Sequence, residues 1–177
     1  NNPVNAQIYN AGDILGNAVV VQRSAATTFT ANGLAPATQY YFFVFSLNGL
    51  PSCVNGPVYN VTAPLSGNET TQPLPPCVAP TGQPISLTLT AANTSVSGTF
   101  TGAASADNYL VIRSLSPTLS ALPVDNNDYT AGSSFGGGIV VANSSATTFL
   151  AAGLTPNTTY YFYIFAANKN CSGGTKY

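Results

Sequence analysis

The chain has 177 residues, only 5% of them charged, with no His, Met or Trp and a formal net charge of −1. That composition excludes His-based triads and His metal clusters and leaves no electrostatic handle for nucleic acid or an anionic membrane. A hydrophobic content of 45% sets it apart from disordered polar chains.

Taken from the N-terminus, short apolar alternations are broken by Gly, Pro and Asn without a helical period, which predicts an all-β protein. A long strand is expected around Tyr40–Phe45 and a later one at Val58–Thr62. Residues 63–80 hold five prolines and read as a semi-rigid linker of polyproline character. Beyond it the expected strands are Ile85–Thr90, Ser95–Phe100, Asn108–Arg113, Ile139–Ala142, Thr147–Ala151 and Thr159–Ala166. A seventh begins at Lys176 and is complete only in its earlier counterpart, Val58–Thr62. No run of 18 apolar residues occurs, so no membrane insertion is expected.

The chain repeats itself. Residues 1–48 align without a gap onto residues 121–168, and 23 of those 48 positions are identical. A period this long means tandem domains rather than a solenoid of short repeats. The register predicts the later part of one repeat (1–62), the linker (63–80) and a second repeat (81–177) whose last strand is truncated. On this reading the chain is about one and a half units of a longer array.

Cys53 and Cys171 occupy matching places in the two copies, and Cys77 sits between them. The economical reading is a Cys53–Cys77 disulfide between domains, with Cys171 pairing to a following repeat; three buried free thiols are the alternative. A disulfide implies an oxidising, extracellular setting.

Gly33-Leu-Ala-Pro-Ala-Thr-Gln-Tyr40 and Gly153-Leu-Thr-Pro-Asn-Thr-Thr-Tyr160 resemble the tyrosine corner of fibronectin type III domains. The resemblance covers essentially the whole chain, and is to the tandem repeats of large secreted and cell-surface bacterial proteins. It implies seven-stranded immunoglobulin-like β-sandwiches, the first copy keeping only strands C′, E, F and G. It also gives Tyr40 and Tyr160 a structural role, the hydroxyl bonding back to upstream backbone. Two departures stand out. Phe100 replaces the usual strand-B Trp, and the connection from Ser114 to Gly138 is far longer than a hairpin loop.

The search for chemistry finds no catalytic residue and no cofactor site. The five acids, Asp13, Glu69, Asp107, Asp125 and Asp128, form no facing carboxylate pair of the kind glycoside hydrolysis needs. Asp125 and Asp128 flank two asparagines and are a weak Ca²⁺ candidate, against the plainer reading of a turn. Six Asn-x-Ser/Thr sequons, beginning at Asn60, allow glycosylation.

The informative feature is a face. If Tyr160, Phe162 and Ile164 point inward, period-2 alternation turns Tyr161, Tyr163 and Phe165 outward, as it does Tyr41, Phe43 and Phe45 in the first copy. With Leu110 and Ile112 beside them, these residues form an apolar interaction surface of a kind isolated monomers rarely expose. The cover is either the 114–138 segment, through Leu119, Leu122, Val124, Tyr129 and Phe135, or neighbouring repeats and subunits, or a surface glycan. The function expected is structural: an extracellular fibre, filament or cell-surface stalk built by self-association or by repeats end to end. A carbohydrate-binding or spacer module is the alternative.

Overall fold

The computed structural model describes residues 1–49 and 54–177. Among the described residues every regular element is a β-strand. The chain forms two compact units, Asn1–Pro73 and Leu74–Tyr177.

Unit 2 is a sandwich. One sheet contains β7 (Ile85–Ala91), β8 (Ser95–Thr101) and β12 (Thr148–Ala152) in the order β12-β8-β7. The other contains β9 (Asn108–Ser114), β10 (Ser134–Phe135), β11 (Gly138–Ser144) and β13 (Tyr161–Ala167) in the order β10-β11-β9-β13. All the pairings are antiparallel. The sheets meet on Phe100, Tyr109, Val111, Phe149 and Ala166, with Phe162 and Ile164 packed against them. Phe149 lies directly opposite Gly98 on the neighbouring strand, and a Cβ at Gly98 would run into its ring. Glycine there makes room for the aromatic. The Phe100 and Tyr109 rings meet edge to face, 5.0 Å between centroids, so a smaller aromatic fills the place that the resemblance assigns to Trp. This seven-stranded, two-sheet arrangement is an immunoglobulin-like β-sandwich.

Unit 1 is built from the same local sequence with fewer partners. β1 (Ile14–Leu15) and β2 (Ala18–Val19) form a small hairpin, 120 residues before β10 and the start of β11. β3 (Gln39–Val44), the counterpart of β13, pairs with β6 (Leu65–Thr70). β4 (Leu47–Asn48) pairs with β5 (Val58–Tyr59).

Three sequence expectations are corrected here. The 63–80 stretch is not a linker throughout. Its prolines lie at 64, 73, 75, 76 and 80, leaving residues 65–72 free of them, and that window supplies β6. The strand expected over Val58–Thr62 is only Val58–Tyr59 and pairs with the short β4, while β6 lies beside β3. The disulfide joins Cys77 to Cys171 across 94 residues, so Cys77 does not bridge to Cys53, which lies outside the described residues, and Cys171 is not left for a following repeat. The physical reason is that entry and exit of unit 2 run side by side. Pro76 bridges Ser172, Cys77 N–H donates to the Ser172 carbonyl at 2.9 Å and Asn168 Nδ2 donates to the Val78 carbonyl at 2.8 Å. Proximity in sequence favoured Cys53; proximity in the sandwich selects Cys171.

Candidate functional site

The outer face of the β9–β13 sheet is where the sequence placed an interaction surface. Leu110 and Ile112 are 0% exposed and form a second core with Phe135 and Val140, against which Leu119, Tyr129, Tyr163, Phe165 and Tyr177 pack. The proposed surface is therefore an interior at Leu110 and Ile112. The cover is the 114–138 segment, a strap over the sheet. A sandwich too small to leave one face bare of apolar side chains covers it with its own chain. Tyr163 donates its hydroxyl to the Ser116 carbonyl at 3.1 Å, and Ser120 N–H donates to the Gly136 carbonyl at 2.9 Å. The Tyr129 ring sits edge-on to Phe135 at 4.7 Å. Of the side chains expected to pack, Leu122 and Val124 instead face solvent, and Tyr161 stays exposed at the strap's margin. Gly138 begins β11 where a Cβ would strike the Arg113 carbonyl and Ile112, so the Gly136-Gly-Gly138 run lets the strap turn closely over the sheet.

The strap is buckled to the C-terminal segment. Asn126 N–H donates to the Thr175 carbonyl at 2.7 Å. Asp128 accepts from the Thr175 hydroxyl at 2.8 Å and pairs with Lys169 at 3.1 Å. Asp125 accepts from the Tyr177 backbone N–H and pairs with Lys176, both at 3.0 Å. These contacts hold both carboxyls below the usual value of 3.8, chiefly through the Tyr177 amide for Asp125 and the Thr175 hydroxyl for Asp128. Of the Asp pair singled out as a Ca²⁺ candidate, Asp125 has both oxygens and Asp128 its Oδ1 engaged by the chain, and no group of three metal-ligating side chains occurs among the described residues. Tyr177, which the sequence reading passed over, closes the buckle. Its hydroxyl donates to the Asn127 carbonyl at 3.2 Å and burial raises its pKa to about 12. Tyr59 does the same in unit 1, donating to the Gln7 carbonyl at 2.9 Å.

The corner tyrosines each accept a hydrogen bond from upstream backbone, Tyr40 from Ala35 N–H at 2.9 Å and Tyr160 from Thr155 N–H at 3.1 Å. The Arg113 guanidinium lies 5.6 Å above the Tyr160 ring. In unit 1 Tyr41 and Phe43 are exposed and Phe45 is half-buried.

A second apolar feature opens on the inner side of unit 2. Pro84, Ile85, Ser86, Leu87, Phe100 and Ile164 line a cleft of about 190 Å³. It is bounded by two edge strands, β7 and β13. Ile85, Leu87 and Leu89 all remain exposed, and a register shift between Ile85 and Thr88, with Ser86 at a φ of 58°, breaks their alternation.

No family model matches the sequence, and no curated protein does. The solved structures that are similar in part include two of titin. "Titin kinase and its flanking domains" aligns with 56% of this chain and 16% of its own, at 19% identity and a TM-score of 0.36. A crystal structure of neighbouring domains from titin aligns with 79% of this chain and 50% of its own, at 12% identity and a TM-score of 0.34. The chain therefore spans half or less of either structure, and the sandwich assignment rests on its own strand topology.

Proposed function

We propose that this chain is an extracellular structural repeat protein whose immunoglobulin-like sandwiches associate end to end into a fibre, filament or cell-surface stalk. One observation carries the reading. The two copies share sequence and local hydrogen bonding, yet unit 1 exposes what unit 2 buries: Phe29 is 47% exposed and its counterpart Phe149 7%. An apolar inner face with no opposing sheet among the described residues, on a chain with so few charges, calls for completion by another segment or subunit. The disulfide within unit 2 supports an oxidising environment. The carbohydrate-binding alternative loses most of its platform, since Leu110 and Ile112 lie beneath the strap. Sedimentation velocity and electron microscopy of the 177-residue chain test the proposal. Concentration-dependent association into elongated particles is expected. A monomer whose unit 1 amides are strongly protected from exchange would overturn it.

A further inference from the structure

We infer that the outer edge of β13 is the seat for strand β6 of a second copy of this chain. The inference deepens the array reading and rests on it, by naming the joint. β3 and β13 are the same strand of the repeat, Tyr40-Tyr-Phe-Phe-Val-Phe45 aligning onto Tyr160-Tyr-Phe-Tyr-Ile-Phe165. β3 carries β6 along six residue pairs, from Gln39 opposite Thr70 to Val44 opposite Leu65. Among the described residues β13 pairs with β9 alone.

The edge of β13 that no strand takes among the described residues is the one that β3 uses. Backbone groups alternate sides along a strand, and the Thr38 carbonyl points to β6, accepting from Thr71 N–H at 3.0 Å. Ala166, of the same parity as the counterpart of Thr38, points its N–H away from β9 to the Gln83 side chain at 3.0 Å. Gln83 caps the far end of the edge, past the six positions that β6 would fill.

The side chains match as well. In the register of unit 1, Leu65 would lie opposite Ile164, which lines the cleft with Ile85 and Leu87. Glu69 would lie opposite Tyr160, whose ring carries the Arg113 guanidinium. Glu69 is the chain's single Glu, and neither it nor Arg113 forms an ion pair among the described residues. All six residues of β6 are exposed on β3. Transfer to β13 keeps the same backbone ladder and adds cover for the cleft between β7 and β13, so exchange gains apolar burial at little cost in hydrogen bonds. Donor and acceptor lie on different units, which makes the contact heterologous and able to propagate.

The test mixes two chains, each in a Cys53→Ser background, one with Ile164→Cys and the other with Leu65→Cys. Mild oxidation should give the mixed dimer, joined through the two introduced thiols, in roughly fivefold excess over a control mixture of Ile164→Cys with Glu69→Cys. A peptide of residues 63–72 should suppress it. Independently, Arg113→Glu should weaken association several-fold, and mixing it with Glu69→Arg chains should restore it. Equal cross-linking in both mixtures, with association intact by sedimentation, overturns this joint and leaves the array reading standing. Chains that stay monomeric throughout overturn both.

Discussion

The two copies of the repeat show which properties of a sandwich are local and which are not. Their local hydrogen bonds coincide. Val4 N–H donates to Tyr9 as Val124 N–H does to Tyr129, and Ala6 N–H meets the Pro57 carbonyl as Asn126 N–H meets that of Thr175, both at 2.7 Å. The Phe29–Phe42 and Phe149–Phe162 rings meet tilted, 5.4 and 5.3 Å between centroids. Strand content and burial do not coincide. Thr148–Ala152 is a strand because Ser95–Thr99 lies beside it, whereas the matching Thr28–Asn32 has no such neighbour among the described residues and forms none. Turns and ring pairs follow from short stretches of sequence; a strand and a buried face need a partner from far away.

The largest expected break in this comparison comes from the disulfide. Cys171→Ser opens a loop of 94 residues, worth about 4.7 kcal/mol by the loop-entropy argument. Denaturant unfolding of unit 2 should shift to lower concentration by a corresponding amount, and an unchanged midpoint would contradict the assigned pairing. Paired truncations come next. Phe149→Ala should cost about 3 to 4 kcal/mol because its ring fills the space over Gly98, while Phe29→Ala, half in solvent, should cost about 1 kcal/mol or less. Equal losses in chemical denaturation would mean that the inner face of unit 1 is covered as that of unit 2 is.

The smallest effect sharpens the contrast at the buckle, whose acids unit 1 lacks. Asp125 and Asp128 titrate below their usual 3.8 in the folded chain, so their stabilisation is fully present above that value. It is lost as pH falls through the lowered folded values. Both pairs are exposed, so the effect is modest. A melting-temperature series from about pH 5 to pH 2 should slope downward, and the Asp125→Asn/Asp128→Asn double variant should flatten that slope by lowering the plateau above it toward the low-pH level.

Much of this was legible in the sequence. The corner motifs located β3 and β13, the alternation of Thr159–Ala166 separated Phe162 and Ile164 from Tyr163 and Phe165, and the 120-residue offset exposed the repeat. What escaped depended on distance. Leu110 and Ile112 read as an outer face in need of cover, but strand parity says only which way a side chain points, so the choice among strap, neighbouring repeat and glycan stayed open. Cys77 read as the partner of Cys53 because chain separation was the measure at hand. β6 was hidden by the flanking prolines, since a six-residue window holding Leu, Ser, Gly, Asn, Glu and Thr has little strand propensity of its own. Gln83, Thr175 and Tyr177 carry no motif; each is recruited by a backbone group that the fold brings near.

The Cys77–Cys171 bond also sets how unit 2 responds to load. Tension applied along the chain enters at Cys77 and leaves at Cys171 without crossing the sandwich between them. The 94-residue separation corresponds to roughly 320 Å of contour length, and all of it is locked while the bond is intact. Unit 2 is then an inextensible link whose sheets can loosen without lengthening the molecule. A reductant would convert that link into a reserve of slack.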